Sequence, residues 1–291
     1  MSRRARPKGL FRRLFDSPSA VAGMLFLGLL LAFALAAPLI GLDPLAQDII
    51  ASLEGPSAEH WFGTDELGRD LFARSVFGAR TSLSTAAGAV LIAGMIGVPI
   101  GLVAGFFGGW RDALLMRIVD VLLALPGILM AMAMIAVLGR SQTAALVAVG
   151  ITGIPGFARI TRAQVLSLRA RDFVTAVEAL GASAGYSMIR TVLPNAWSPI
   201  LVQAVVLSAV AILLEAALAF LGVGIPPPTP SWGEMLRTGK SYLHEAPTYA
   251  VLPGLVLTLS ILSLDAIGRA MAAALERDEP GAGARLTGGR A

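Results

Sequence analysis

Residues 81–110 read TSLSTAAGAVLIAGMIGVPIGLVAGFFGGW, a run without a single charge. A hydrocarbon core about 30 Å thick takes roughly 20 apolar residues of helix, so this run is long enough to cross a bilayer. Working outward, other stretches share its character. Residues 17–42 are uncharged, and a third stretch runs from Ala113 to Leu138 with Arg117 and Asp120 near one end. A fourth covers 141–158, a fifth covers 197–223 around the acid Glu215, and a sixth covers 247–270 with Asp265 inside it. The expected fold is an all-α polytopic membrane protein with six transmembrane helices. One bundle over 20–278 accounts for the length, with a basic segment at 1–19 and a flexible Gly/Arg-rich tail at 279–291.

Composition points the same way. The chain has 291 residues, 56% hydrophobic and only 14% charged, where a soluble domain carries about 25% charge. Mean hydropathy is +0.75. The net charge of +4 and the pI near 10.1 raise the question of nucleic acid. The bases lie mostly between spans, however, so no nucleic-acid partner is expected. With a cytoplasmic N-terminus, the inside segments (1–19, 111–117, 159–195 and the C-terminal end) hold 17 Lys and Arg. The outside segments (43–80, 139–142 and 224–246) hold 6. The positive-inside rule therefore puts both termini in the cytoplasm. The first span begins after basic residues and contains Ala34-Leu-Ala36, as a secretory signal would. Its apolar run is longer than a signal core and Pro38 follows closely, so it reads as an uncleaved anchor. The absence of cysteine removes disulfides and thiolate chemistry.

The segment 159–195 is too polar to span, yet it is patterned. Phe173, Val177 and Leu180 recur at i, i+4 and i+7, one apolar face of a short helix. Gly181 is placed to end that helix. Ser183 is placed to cap a second one carrying Tyr186, Ile189 and Val192, and Pro194 to stop it before the fifth span. Two short helices with an exposed apolar face must bury that face against lipid headgroups or another protein.

This segment resembles the EAA loop of ABC importer permeases, whose pattern is Glu-Ala-Ala, three residues, Gly, nine residues, a hydrophobic residue, one residue, Leu-Pro. Aligned on Gly181, Leu193 and Pro194 fall in place, while the Glu-Ala-Ala positions read Thr175, Ala176 and Val177 and Thr191 takes the hydrophobic position. Two further segments are similar to the permeases of dipeptide, oligopeptide and nickel importers. One is HWFGTDELGRD at 60–70, continuing to GARTSL at 78–83. The other is PPPTPSWGEML at 226–236, followed by LPG at 252–254. Together they resemble the C-type subunit; a usual Gly-Asp pair near the sixth span's end reads Gly268-Arg269 instead.

The resemblance implies a type I ABC importer permease fold with a cytoplasmic EAA-like coupling loop, in a bacterial cytoplasmic (inner) membrane. It implies a second homologous permease subunit, two ATP-binding subunits and an extracytoplasmic substrate-binding protein that delivers a peptide substrate. Nickel or another small solute is the alternative cargo. ATP and Mg would be bound by the partner subunits, since no Gly-x4-Gly-Lys-Ser/Thr loop occurs here, and no cofactor or enzyme activity is expected of this chain. Coupling would fall to Asp172, Phe173, Thr175, Ala176, Val177, Glu178, Ala179, Leu180, Gly181, Ala182, Ser183, Tyr186, Leu193 and Pro194. Asp172 or Glu178 is the candidate replacement for the missing loop acid.

Glu215 has no base nearby in sequence, so it is a candidate for lining the pathway or for pairing with the second permease. Asp120 has Arg117 three residues away and Asp265 has Arg269 four residues on, which favours local ion pairs. His60 and His244 stand alone, so no metal site and no catalytic residue is expected. Gly97, Gly101 and Gly105 recur every four residues, a spacing that lets helix backbones approach closely, within the subunit or against a partner. Trp61 and Trp232 are expected at the outer interface or in folded loops. The acidic 43–80 segment is placed outside, either to meet the binding protein or simply as a soluble loop cap. No triad spacing supports an intramembrane protease, and no internal repeat supports an ion-coupled secondary carrier.

Topology is directly testable because the chain has no native cysteine. Ser57→Cys and Thr229→Cys should react with an impermeant maleimide from outside intact cells, and Ser183→Cys only after permeabilisation; outside labelling at position 183 would overturn the orientation.

Overall fold

The computed structural model describes residues 14–276. The first 13 residues and the expected flexible tail at 279–291 lie outside the described residues. The described residues form nine α-helices, α1 Pro18–Ala36, α2 Leu71–Phe107, α3 Gly109–Ala124, α4 Gly127–Leu138, α5 Gln142–Arg169, α6 Asp172–Ala179, α7 Ala184–Phe220, α8 Trp232–Gly239 and α9 Thr248–Glu276, with short 3-10 turns at Ile49–Ala51 and Lys240–Tyr242. Helices α1, α2, α5, α7 and α9 are each long and apolar enough to cross a membrane. The pair α3 and α4 is long and apolar enough only when taken together, and it is bent by 87° at the break, which makes five such helices among the described residues, or six spans with the pair.

That bend corrects the continuous third span expected over Ala113–Leu138. Pro126 has no N–H to give a helix, and its ring pushes the preceding residue out of the helical region. Leu125 is accordingly extended, at φ −98° and ψ 135°. The helix restarts after the break, where the Pro126 carbonyl accepts from Leu129 and Met130. The other spans keep their expected places but change length. α2 begins at Leu71, ten residues before the uncharged run, because Asp70 caps it: its Oδ1 accepts from the Ala73 N–H at 2.7 Å. α5 begins under the Ser141 cap, whose Oγ accepts from Ala144 at 3.0 Å, and continues to Arg169, well past the expected end.

A second correction concerns Pro194, which does not stop a helix. The chain from Ala184 to Phe220 is one continuous helix. Over Ser187–Val192 it widens to a π-type winding, and the Leu193 N–H reaches the Met188 carbonyl, five residues back. This widening loosens the turn that the proline ring would crowd. The Asn195 side chain then donates to the Thr191 carbonyl at 2.7 Å.

The core of the bundle is the packing of α2 on α5. A Cβ built on Gly97 would lie 2.6 Å from the Ile154 carbonyl oxygen, on Gly101 2.2 Å from that of Ala158, and on Gly105 2.9 Å from that of Arg162. The glycine stripe thus serves contact within this subunit. Alanines such as Ala89, Ala93, Ala148 and Ala158 complete a closely spaced interior. Gly101→Leu should overpack this seam, at a cost of about 1–3 kcal/mol. Thermal unfolding in detergent should show a lower Tm and less protein in the membrane, whereas Gly28→Ala, with nothing within 4 Å of the added Cβ, should match the parent in both.

Candidate functional site

The segment with the loop pattern lies at one end of the bundle, where α2 and α5 finish. α5 stops at Arg169, Arg171 turns the chain in an extended conformation, and α6 starts at Asp172. Its end follows the glycine reading closely. Gly181 sits at φ +88°; its N–H bonds the Glu178 carbonyl at 3.0 Å and the Ala182 N–H bonds the Val177 carbonyl at 3.3 Å. This pair of bonds is a Schellman turn, which needs a left-handed residue at its pivot. Ser183 then caps α7, its Oγ accepting from the Tyr186 N–H at 3.3 Å.

The inward side of α6 is held by a residue outside the expected exposed apolar face. Val174, 1% exposed, packs with Val192 into a cluster made by Leu102 and Phe106 of α2 and Val165 of α5. Val192 therefore belongs to the anchor, not to the outer face. Phe173 and Leu180 point outward, Leu180 at 89% exposure, and Tyr186 and Ile189 of the first turns of α7 are also more than half exposed. Asp172, Thr175, Ala176, Glu178, Ala179, Gly181, Ser183 and Pro194 are exposed, while Val177, Ala182 and Leu193 are half-buried. Arg169 ties the junction further: its guanidinium donates to the Phe106 carbonyl and lies 5.1 Å from the Phe106 ring centre. The result is a small apolar surface fixed to the ends of two long spans.

Glu215 is elsewhere, toward the opposite end of the bundle. It is 1% exposed, with Oε2 accepting from Ser82 Oγ of α2 at 2.9 Å. Its other oxygen, Oε1, has no hydrogen-bond partner among the described residues. The carboxyl group is thus held between α7 and α2. Asp265 pairs with Arg269 at 2.6 Å, as its spacing suggests. Asp120 pairs with Arg159 of α5 at 2.7 Å, not with Arg117, because α3 packs against α5 and brings the two side chains together. One step further along, Arg162 makes two 2.6 Å bonds to Asp112. Among the described residues no group of three or more His, Cys, Asp or Glu side chains could hold a metal ion. His60 has a partner of its own, Asp70 Oδ2 at 2.8 Å from Nδ1.

Sequence reasoning missed a second polar assembly at the end of α2 opposite the loop. Asp65 is fully buried. It accepts from the N–H groups of Leu67 at 2.9 Å and Arg69 at 3.0 Å, and from Arg69 Nε at 2.7 Å. Arg74 Nε lies 3.3 Å from the same carboxylate, and Arg74 Nη2 3.3 Å from Glu234 of α8. Trp232, also fully buried, donates from Nε1 to the Ser75 carbonyl at 2.9 Å. The only sequence signal was the pair of motif-like segments at 60–70 and 226–236; nothing local shows that they touch.

Comparison with known proteins places this architecture. Residues 97–278 match the family described as binding-protein-dependent transport system inner membrane component, and residues 8–56 match the N-terminal TM domain of oligopeptide transport permease C. The chain is 41% identical over 267 residues to a dipeptide transport system permease protein, DppC, of Alkalihalophilus pseudofirmus, covering 91% of this chain and 88% of that protein. It is 40% identical over 276 residues to a di/tripeptide transport system permease protein of Pseudomonas aeruginosa, covering 92% and 91%. It is 39% identical over 268 residues to a glutathione transport system permease protein, GsiD, of Pectobacterium atrosepticum, covering 91% and 89%. The fold is that of a solved structure of the MetNI methionine ABC transporter in an inward facing conformation, with TM-score 0.55 and 18% identity over 68% of this chain and 94% of that one. The chain belongs to the family of binding-protein-dependent transport system inner membrane components. It is a multi-pass permease subunit of a bacterial inner-membrane ABC importer.

The two faces of the loop should separate by mutation. Val174→Asp places a charge in the closed apolar cluster and should cost several kcal/mol, read as a lower Tm of the purified permease. Leu180→Asp and Tyr186→Asp change only the outer face, so they should leave Tm unchanged while reducing co-purification of the ATP-binding subunits; a Tm loss as large as that of Val174→Asp would show the outer face to be structural.

Proposed function

We propose that this chain forms half of the transmembrane pathway of a peptide importer, with a second homologous permease as the other half, and that both its termini are cytoplasmic. Peptides reach it from an extracytoplasmic binding protein, and two ATP-binding subunits, which bind ATP and Mg, drive it from the cytoplasmic side. The peptide class is supported by relatives whose named cargoes, dipeptides, di- and tripeptides and glutathione, are all short peptides. The reading of the 172–194 segment as the coupling element rests on one observation above others. Phe173, Leu180, Tyr186 and Ile189 are exposed apolar side chains on a short element whose inner residues, Val174 and Val192, are locked into the ends of α2 and α5. A push on that surface is delivered to two membrane spans, because Val174 and Val192 share one apolar cluster with side chains of α2 and α5. The exposed acids Asp172 and Glu178 flank the patch and offer polar anchors in place of the absent loop glutamate.

Gly181 tests the coupling. A residue with a branched Cβ at φ +88° is disfavoured by roughly 1–2 kcal/mol, and no neighbouring atom stands within 4 Å, so Gly181→Val acts through the backbone turn alone. Uptake of a radiolabelled dipeptide by whole cells should fall, with normal membrane abundance. In proteoliposomes, the ATPase activity stimulated by loaded binding protein should weaken or become independent of it. Wild-type uptake together with wild-type ATPase stimulation would show that the segment does not couple.

A further inference from the structure

The polar assembly at the far end of α2 borders a cavity of about 590 Å³, within the usual size range of small-ligand pockets. Glu66, Arg237, Lys240 and Tyr242 help line it, and Phe220 closes one wall. The charges there do not cancel. Asp65, Glu66 and Glu234 are three carboxylates, and each is already engaged. Arg69 lies 2.7 Å from Asp65 and 3.2 Å from Glu66. The Tyr249 hydroxyl donates to Glu66. Glu234 takes Arg74 at 3.3 Å and the Thr238 hydroxyl at 3.0 Å. Arg69 and Arg74 are buried and held by these acids. Arg237 is loosely held, 3.7 Å from Glu234 with its side chain 40% exposed. Lys240 has no carboxylate partner among the described residues; its Nζ rests 5.0 Å from the Phe220 ring centre. The cavity therefore contains one surplus cation and one half-committed guanidinium, against aromatic walls.

We infer that this cavity is a transit site that receives the terminal α-carboxylate of a peptide at Lys240 and Arg237. The inference rests on the peptide reading above and deepens it. A carboxylate entering here meets two donors and no free anion, since the local acids are saturated from within the protein. An ammonium or a metal cation entering the same space meets the surplus positive charge and is disfavoured. The concave shape suits a molecule of a few residues; an acidic protein surface would meet Lys240 and Arg237 only across the mouth. Phe220 and Tyr242 offer apolar and aromatic contact without demanding a particular side chain, which suits a carrier of varied peptides. The site lies at the opposite end of α2 from the coupling surface, about 55 Å away along that 37-residue helix, where cargo would enter.

Ser241 lines the cavity and is exposed, so Ser241→Cys in this cysteine-free chain is a reporter. The complete transporter is used in right-side-out membrane vesicles washed free of binding protein. The rate of alkylation on this chain by an impermeant maleimide is read with alanyl-alanine, with trialanine and with the C-terminal amide of each. The free acids should slow labelling about tenfold at concentrations near nine times Kd, following mass action, and the amides should not. Lys240→Gln with Arg237→Gln should abolish the protection, and Lys240→Arg alone should keep it. Equal protection by acid and amide, protection that survives the double substitution, or no protection by either acid would overturn the site. Uptake of radiolabelled dipeptide by whole cells, with and without this chain, is measured alongside: uptake that depends on the chain while the cavity shows no protection would sink the transit site and leave the transport reading standing.

Discussion

Backbone contact between α2 and α5 is the constraint on which the rest of this molecule depends. In lipid there is no hydrophobic gain in pressing one apolar helix on another, so close packing and its many small dispersion contacts must hold the pair. Gly97, Gly101 and Gly105 leave no room for a Cβ against the carbonyls of α5. With that seam closed, the two helices behave as one body. Each then carries something beyond the membrane. α5 runs on to Arg169 and presents α6; α2 runs outward to Asp70 and Arg74 and anchors α8.

The far end is secured by buried charge, which is unusual enough to need a reason. Desolvating an ion pair costs several kcal/mol per ion unless good geometry and further hydrogen bonds offset it. Asp65 meets that condition, with two backbone N–H groups and two guanidinium groups around one carboxylate. Arg74 extends the assembly to α8 through Glu234, and Tyr249 joins α9 to it through Glu66. Such a network fixes how the 43–70 segment, α2, α8 and α9 sit on one another, because a shifted register would strand a charge. Apolar contacts around Trp232 and Met235 complete the fit.

Two prolines with similar local chemistry have opposite outcomes. Pro126 breaks a span and turns it by 87°, while Pro194 sits within a continuous helix that widens just before it. The difference lies in the neighbours. Around Pro194 the Val192 side chain is locked in the cluster under α6, and the Asn195 side chain takes up the Thr191 carbonyl, so the helix has contacts on both sides of the proline that favour continuing. Around Pro126 the flanking residues Leu123, Ala124 and Leu125 are exposed, and nothing holds the chain to a straight path.

The sequence by itself determined the all-helical membrane architecture, the approximate places of the long apolar helices, the turn at Gly181 and the cap at Ser183. Each depends on residues within a few positions of one another: an uncharged run, a glycine free to adopt positive φ, a hydroxyl reaching three residues on. The Asp265–Arg269 pair was legible for the same reason. Tertiary structure alone decided that Asp120 bonds Arg159 instead of Arg117, that Glu215 meets Ser82, and that Arg74 meets Glu234 across 160 positions. It also decided that Val174, which the periodicity of Phe173, Val177 and Leu180 passes over, is the buried residue of α6. A helical repeat shows which side chains share a face, but not whether that face turns toward a neighbouring span or away from it. That choice is made by the packing of α2 on α5, whose ends leave a pocket fitted to Val174 and Val192 and leave the other face exposed.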